Sequence, residues 1–279
     1  MVIAATSEGP ARMTECGFEL LDVGGATLDE LVRAGEFPRA MEATVRMTVP
    51  LHAVQVEPPV RPGKFVIVGL NYRGHAAEIG AELPSVPQFG YAPGSAVTGA
   101  YEDVYLPDAA PDEVDYEGEL AVIIGRTAAG ITEEDAWSHV AGLTIANDVS
   151  ARDVQLGHGR VTADPHERVG LAKGFATFKP LGPAMLTPEE TGPNPILRIT
   201  TLVDGEIRQD TTTEEFIFGL PTLISTISRH TTLDPGDVIL TGTPSGIGMT
   251  SGRFLTEGQI VEVRIEGIGA LRNRVVRKI

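Results

Sequence analysis

Two acidic segments contain the residues best suited to do chemistry. The first is Asp115-Tyr116-Glu117-Gly118-Glu119, and the second is Asp148 within Ala146-Asn147-Asp148-Val149-Ser150-Ala151-Arg152-Asp153. Glu117 and Glu119 are two apart and lead into the apolar, β-rich run Leu120-Ala121-Val122-Ile123-Ile124, so in a strand both point to the same face. Like charges side by side on a sheet repel. A divalent cation between Glu117, Glu119 and Asp148 removes that repulsion, and three carboxylates suit a hard ion (Mg²⁺, Mn²⁺ or Ca²⁺) better than zinc. Such an ion keeps coordination positions open for water or for a substrate with two neighbouring oxygens. The same spacing also describes a solvated acidic turn at a strand entrance.

Other candidates are spread along the chain. His75 and Glu78 are three apart and face each other if residues 72–79 are helical, which orients an imidazole as a water-activating base. A surface ion pair on a short helix has the same spacing. Arg152 and Gln155 follow Asp148 at positions that a helical turn would bring towards it. Lys173, between Ala172 and Gly174, is either a surface charge or, if buried beside a metal, an oxyanion partner. The run Thr241-Gly242-Thr243-Pro244-Ser245-Gly246-Ile247-Gly248 offers hydroxyls and backbone N–H groups to a carboxylate, and it lacks the Gly-Lys-Ser/Thr ending of a nucleotide P-loop.

These residues need elements to position them. Phe65 to Leu70, Gly142 to Ala146 and Val238 to Leu240 read as buried strands, and Phe18 to Leu21 as a shorter one. Ile196 to Val203 and Glu206 to Gln209, joined by Asp204-Gly205, predict a hairpin, and Ile260 to Ile265 and Gly269 to Val276 two final strands. Thr27 and Thr132 each precede acidic first turns and predict capped helices. A helix beginning at Thr213 is expected to carry a core stripe of Phe216, Ile217, Leu220, Leu223, Ile224 and Ile227 despite Pro221 in its middle. Residues 1–13 read as a frayed start, 43–56 as partly alternating, 80–99 as a long binding loop or lid, and Pro180-Leu181-Gly182-Pro183 as a turn. Glu57 to Gly63 reads as a linker, dividing a small N-terminal region, 1–62, from a catalytic domain, 63–279.

Composition narrows the function classes. The 279 residues include 38 acidic and 22 basic side chains, a formal charge of −16, which argues against nucleic acid or an anionic membrane as partner. Cys16 is the single cysteine, no apolar run is long enough to span a bilayer, and the first residues lack a signal-peptide pattern. A cytoplasmic enzyme acting on a small, metal-bridged molecule is expected.

Together, the motifs resemble the fumarylacetoacetate hydrolase family. The resemblance runs from about Val66 to Val276 and is carried by six segments in the family's order. They are Gly69-Leu70-Asn71-Tyr72 with His75 and Glu78; Tyr116-Glu117-Gly118-Glu119-Leu120; Asn147 to Asp153; Ala172-Lys173-Gly174-Phe175; Pro180 to Pro183; and Leu240 to Gly246. The resemblance implies the family's β-rich α+β fold, a mixed β-sheet roll with short helices, and a homodimer. It implies Glu117, Glu119 and Asp148 as ligands of Mg²⁺ or another divalent ion, and His75, Glu78 and Lys173 as catalytic residues. Arg152, Gln155 and Thr243 would hold the substrate. The first expectation is hydrolytic C–C cleavage of a small 2-oxo or 1,3-diketo acid, acylpyruvate-like or fumarylpyruvate-like. The alternatives are decarboxylation or isomerisation of a 2-oxo acid, such as oxaloacetate or 2-hydroxyhepta-2,4-diene-1,7-dioate, on the same platform, or a repurposed, non-hydrolytic member. Two departures stand out. The family's Phe-x-Lys is here Phe89-Gly90-Tyr91, making Tyr91 a hydrogen-bonding substitute without fixed charge, and its Lys-Ser-Phe-Asp is Lys173-Gly174-Phe175-Ala176. The stretch between Gln155 and Lys173, with His158, Arg160, His166 and Arg168, is expected to shape a different pocket.

Overall fold

A computed structural model describes residues 1–159, 161 and 164–277. Its framework is a strand-rich α+β roll with short helices. Among the described residues, twelve strands form the main sheet, five a second sheet and two a small ladder. The main sheet runs, in order, through Val45–Val49, Gly17–Leu21, Gly9–Thr14, Val2–Thr6, Lys179–Leu186, Val140–Asn147, Gly118–Ile124, Val238–Leu240, Lys64–Val68 and Phe89–Pro93. Most neighbours are antiparallel, but Val238–Leu240 pairs with Lys64–Val68 in parallel. The second sheet joins Glu206–Thr212, Arg198–Val203, Ile260–Ile265, Gly269–Arg277 and Val104–Leu106.

The strand Gly118–Ile124 is buried throughout because both of its faces are covered. Leu120, Val122 and Ile124 pack with Ile199, Val263 and Ile265 of the second sheet and with Leu223, Ile224 and Ile227 of the helix Leu220–Ser228. On the opposite face Ala121 and Ile123 meet Ile3, Leu28, Leu31 and Phe37. Burying each large aliphatic side chain contributes about 1.5–3 kcal/mol, so this two-sided core holds the strand's mouth rigidly.

Several expected elements form for the expected reasons. Thr27 caps the helix Leu28–Arg33 in a capping box with Glu30, and Thr132 caps Glu133–Ala136. Asp204 and Gly205 both take positive φ, 52° and 82°, as a tight hairpin turn needs. Other expectations are corrected. The start is not frayed: Val2–Thr6 and Gly9–Thr14 are strands, the first pairing Val2 with Leu186, so backbone hydrogen bonds tie the first residues into the main sheet. Residues 80–99 are not one loop, because Phe89–Pro93 edges the main sheet and Val97–Gly99 pairs with Lys179–Leu186. Pro180 to Pro183 lies inside that last strand rather than in a turn, with a cis bond at Gly182-Pro183. Thr213–Glu215 makes only a 3-10 turn, and the helix starts at Leu220. Pro221 therefore occupies its first turn, where a missing N–H costs nothing. Leu220, Leu223, Ile224 and Ile227 keep the expected core stripe, while Phe216 and Ile217 lie before the helix. No described helix is long and apolar enough to cross a membrane.

Candidate active site

Glu117 and Glu119 flank Gly118 where the buried strand begins, and Asp148 follows directly on the neighbouring strand Val140–Asn147. Register brings them together: Gly118 pairs with Asn147, and the Asp148 N–H donates to the Glu117 carbonyl at 2.8 Å. The Glu117 N–H in turn donates to Asn147 Oδ1 at 2.9 Å. Gly118 is required by close approach, since a Cβ there would lie 2.1 Å from Thr201 Oγ1 of the second sheet. One oxygen from each of Glu117, Glu119 and Asp148 falls within a 4.8 Å cluster, and all three residues are buried.

Three cations balance this acidic floor. Lys173, at the end of the helix Arg168–Lys173, donates to Glu117 Oε2 at 2.5 Å and to Asp148 Oδ2. Arg152 opens the helix Arg152–Leu156; its Nε bonds Asp115 Oδ2 at 2.9 Å and its Nη2 bonds Glu117 Oε1, while Nη1 donates to Gln155 Oε1 at 2.7 Å. Lys179, which the sequence reading passed over, is fully buried beside Asp148, with Nζ 2.8 Å from Oδ1. The signal for it was a lysine set between Phe178 and Pro180-Leu181 in an apolar strand.

The charges respond unequally. Burial would raise Glu117, but Arg152 and Lys173 outweigh it and hold the carboxyl well below its ordinary range. Glu119 has no cation in hydrogen-bond contact: burial, then the like charges of Asp148 and Glu117, push it well up against the weaker pull of Lys173. Burial opposes the charged form of Lys173, yet Asp148 and Glu117 keep its pKa raised. For Lys179 burial prevails and lowers it.

This chemistry fits a divalent cation. Asp148 Oδ1 is buried with the Lys179 ammonium 2.8 Å away as its counter-charge, and Glu119 Oε2 accepts from the Gly242 N–H at 2.8 Å. The triad therefore gathers three buried carboxyl groups with hard oxygen atoms, Glu119 among them without an ion-paired cation, a donor set of the kind that Mg²⁺, Mn²⁺ and Ca²⁺ take.

A cavity of about 550 Å³ opens above this floor, lined by Glu117, Glu119, Arg152, Gln155, Lys173 and Thr243, and also by His75. His75 Nδ1 lies 3.1 Å from Glu78 Oε2 on the short helix Arg73–Glu78. Glu78 is itself held at Oε1 by the Gly246 N–H (2.9 Å) and the Thr250 hydroxyl (2.7 Å). Thr243 is cross-braced: Gln209 donates to its hydroxyl at 2.8 Å and accepts from the Gly118 N–H at 3.0 Å. Gln209 comes from the second sheet, and no local motif marks it. Asp115 stays outside the triad, fixing Arg152 and the N–H groups of Gly248 and Met249.

Tyr91 is not brought in. It sits on the edge strand Phe89–Pro93, 42% exposed and stacked edge-on to Phe89, while Phe89 and Gly90 line the cavity. Of the segment between Gln155 and Lys173, His166 and Val169 line the cavity, His158 pairs with Glu113, and Arg160 lies outside the described residues.

Residues 64–276 match the family model of the fumarylacetoacetate (FAA) hydrolase C-terminal domain. The chain belongs to the fumarylacetoacetate hydrolase family. Within it, the chain is 40% identical over 261 residues to the mitochondrial oxaloacetate tautomerase FAHD2A of Bos taurus, covering 92% of this chain and 79% of that one. Among solved family folds, the 2-hydroxyhepta-2,4-diene-1,7-dioate isomerase from Mycobacterium marinum superposes with a TM-score of 0.79 at 30% identity, covering 100% and 99% of the two chains. The maleylpyruvate hydrolase from Sphingobium sp. SYK-6, solved with manganese(II) and pyruvate, superposes at 0.77 with 26% identity, covering both chains fully.

Proposed function

We propose that this protein is a divalent-metal-dependent enzyme that interconverts keto and enol forms of a small 2-oxo acid, with oxaloacetate as the first compound to try. What carries this reading is a proton-handling pair, His75–Glu78, on the same cavity as the buried Glu117–Glu119–Asp148 triad. The tautomerase and isomerase names of the relatives favour it over the hydrolytic C–C cleavage expected first.

Glu117, Glu119 and Asp148 would hold Mg²⁺, or Mn²⁺ in its place, and when bound the ion supplies charge stabilisation to an enolate oxygen. Lys173 helps to keep Glu117 ionised and fixes the position of the Asp148 carboxyl, so that both are placed as ligands. Arg152, itself anchored on Asp115, aligns Glu117 and orients Gln155 towards the cavity. His75, oriented by Glu78, moves the proton on the carbon next to the carbonyl. Tautomerisation needs this transfer at carbon and a proton exchanged with solvent at the enolate oxygen, whereas cleavage also needs a water positioned for attack on the carbonyl. Thr243, braced by Gln209, completes the polar wall. The homodimer implied by the family resemblance and a cytoplasmic location both belong to this proposal; the Bos taurus relative is named as mitochondrial.

The deciding experiment follows the enol absorbance of fresh oxaloacetate, and exchange of its C3 hydrogens in deuterated water, using metal-stripped protein with and without added Mg²⁺ or Mn²⁺. Metal-dependent acceleration of both is the expected result. Metal-dependent cleavage of acylpyruvates without any acceleration of tautomerisation would return the site to the hydrolase reading.

A further inference from the structure

The cavity changes character between its floor and its mouth. Glu117, Glu119, Arg152 and Lys173 at the floor are buried, whereas the rim residues Ile79, Leu156 and Val169 are 40%, 50% and 41% exposed. Phe89 lines the wall between them. Three large aliphatic side chains left half in water around a charged pocket form an apolar collar continuous with the reaction site. Lone exposed hydrophobics need no explanation, but a cluster at a cavity mouth does.

The cations tell the same story. Among the described residues lining the cavity, Arg152 and Lys173 alone carry a fixed positive charge, and both are committed. Arg152 serves Asp115 and Glu117, and Lys173 serves Glu117 and Asp148. Gln155 is engaged by Arg152. Among the described lining residues, a substrate carboxylate at the far end would leave water for the three aliphatic side chains and His166, with no further lysine or arginine to receive it. An alkyl or aryl arm there would bury apolar surface instead. At about 550 Å³ the cavity is also in the range of sites for ligands much larger than oxaloacetate.

We infer that the preferred substrate is a 2-oxo acid whose far arm is apolar, and that Ile79, Leu156 and Val169 are the residues that select it. The inference rests on the 2-oxo acid reading of the site but not on which reaction follows. Binding separates the two. Oxamate is an unreactive 2-oxo acid isostere; its N-isobutyl derivative and N-oxalylglycine carry arms of nearly equal shape, one apolar and one a carboxylate. Calorimetric titration of Mg²⁺-loaded protein should show N-isobutyloxamate binding at least about tenfold tighter than N-oxalylglycine. Leu156→Lys, an exposed change outside the acidic floor, should shift that ratio about two- to fivefold towards N-oxalylglycine. Equal or tighter binding of N-oxalylglycine by the unaltered protein would overturn the inference. If not even plain oxamate binds, the 2-oxo acid reading falls and takes the inference with it. Tautomerisation of a 2-oxo acid with an apolar arm, such as phenylpyruvate, measured separately, tests the tautomerase assignment alone.

Discussion

The floor and the rim of one cavity are built on opposite principles. The floor is over-determined: Glu117, Glu119 and Asp148 leave strands packed on both faces, and each is tied to backbone or a cation from a distant part of the chain. The rim is carried by short pieces, Arg73–Glu78 with Ile79 beyond it, Arg152–Leu156 and Arg168–Lys173, whose outward side chains have few partners. Rigid geometry thus lies where charge must be held against its own repulsion, and adaptable surface lies where a variable substrate arm would rest. Changes at the floor should therefore cost stability or metal affinity, and changes at the rim should cost neither.

The largest expected effect is Lys173→Ala. It leaves Glu117 and Asp148 short of a buried counter-charge and should lower unfolding free energy of the metal-free protein by about 3–5 kcal/mol in urea titrations. A loss below about 1 kcal/mol would mean that Lys179 and Arg152 suffice and that the floor is less tightly coupled than drawn. Glu119→Gln should act differently, because Glu119 is the triad member with no cation in hydrogen-bond contact and its charged form is disfavoured by burial and by Asp148 and Glu117. Its metal affinity should fall about 100-fold or more, while the metal-free protein melts no lower than wild type. Titration of Mn²⁺ by calorimetry together with thermal melts in EDTA checks both halves. His75→Ala should reduce oxaloacetate tautomerisation about 100-fold with metal affinity unchanged, since His75 shares the cavity but not the triad. Smallest of all, Val169→Ala should leave stability within about 0.5 kcal/mol of wild type. A larger loss would show that the rim is structural after all.

Legibility followed the range of the interactions. Thr27, Thr132 and Asp204-Gly205 announced caps and a turn because their hydrogen bonds and φ values close within a few residues. The pairing of His75 with Glu78 was readable for the same reason. Pro221 misled only about where its helix begins, and Phe89–Pro93 was hidden because an edge strand rich in Gly and Pro has a loop's composition. Val2–Thr6 read as a frayed end because its run of small residues hides a local hairpin with Gly9–Thr14, and its other main partner, Lys179–Leu186, lies far along the chain.

For the site, the order of six motifs pointed to the family, and that resemblance, not spacing alone, proposed a hard-metal triad and an acid–base pair. Tertiary structure decided what those residues experience. Packing brought Asp148 against Glu117, buried Lys179 beside it, braced Thr243 through Gln209 and kept Tyr91 off the cavity wall. Which carboxylates are neutralised and which cations remain free depend on distances across strands, and register and burial set those distances.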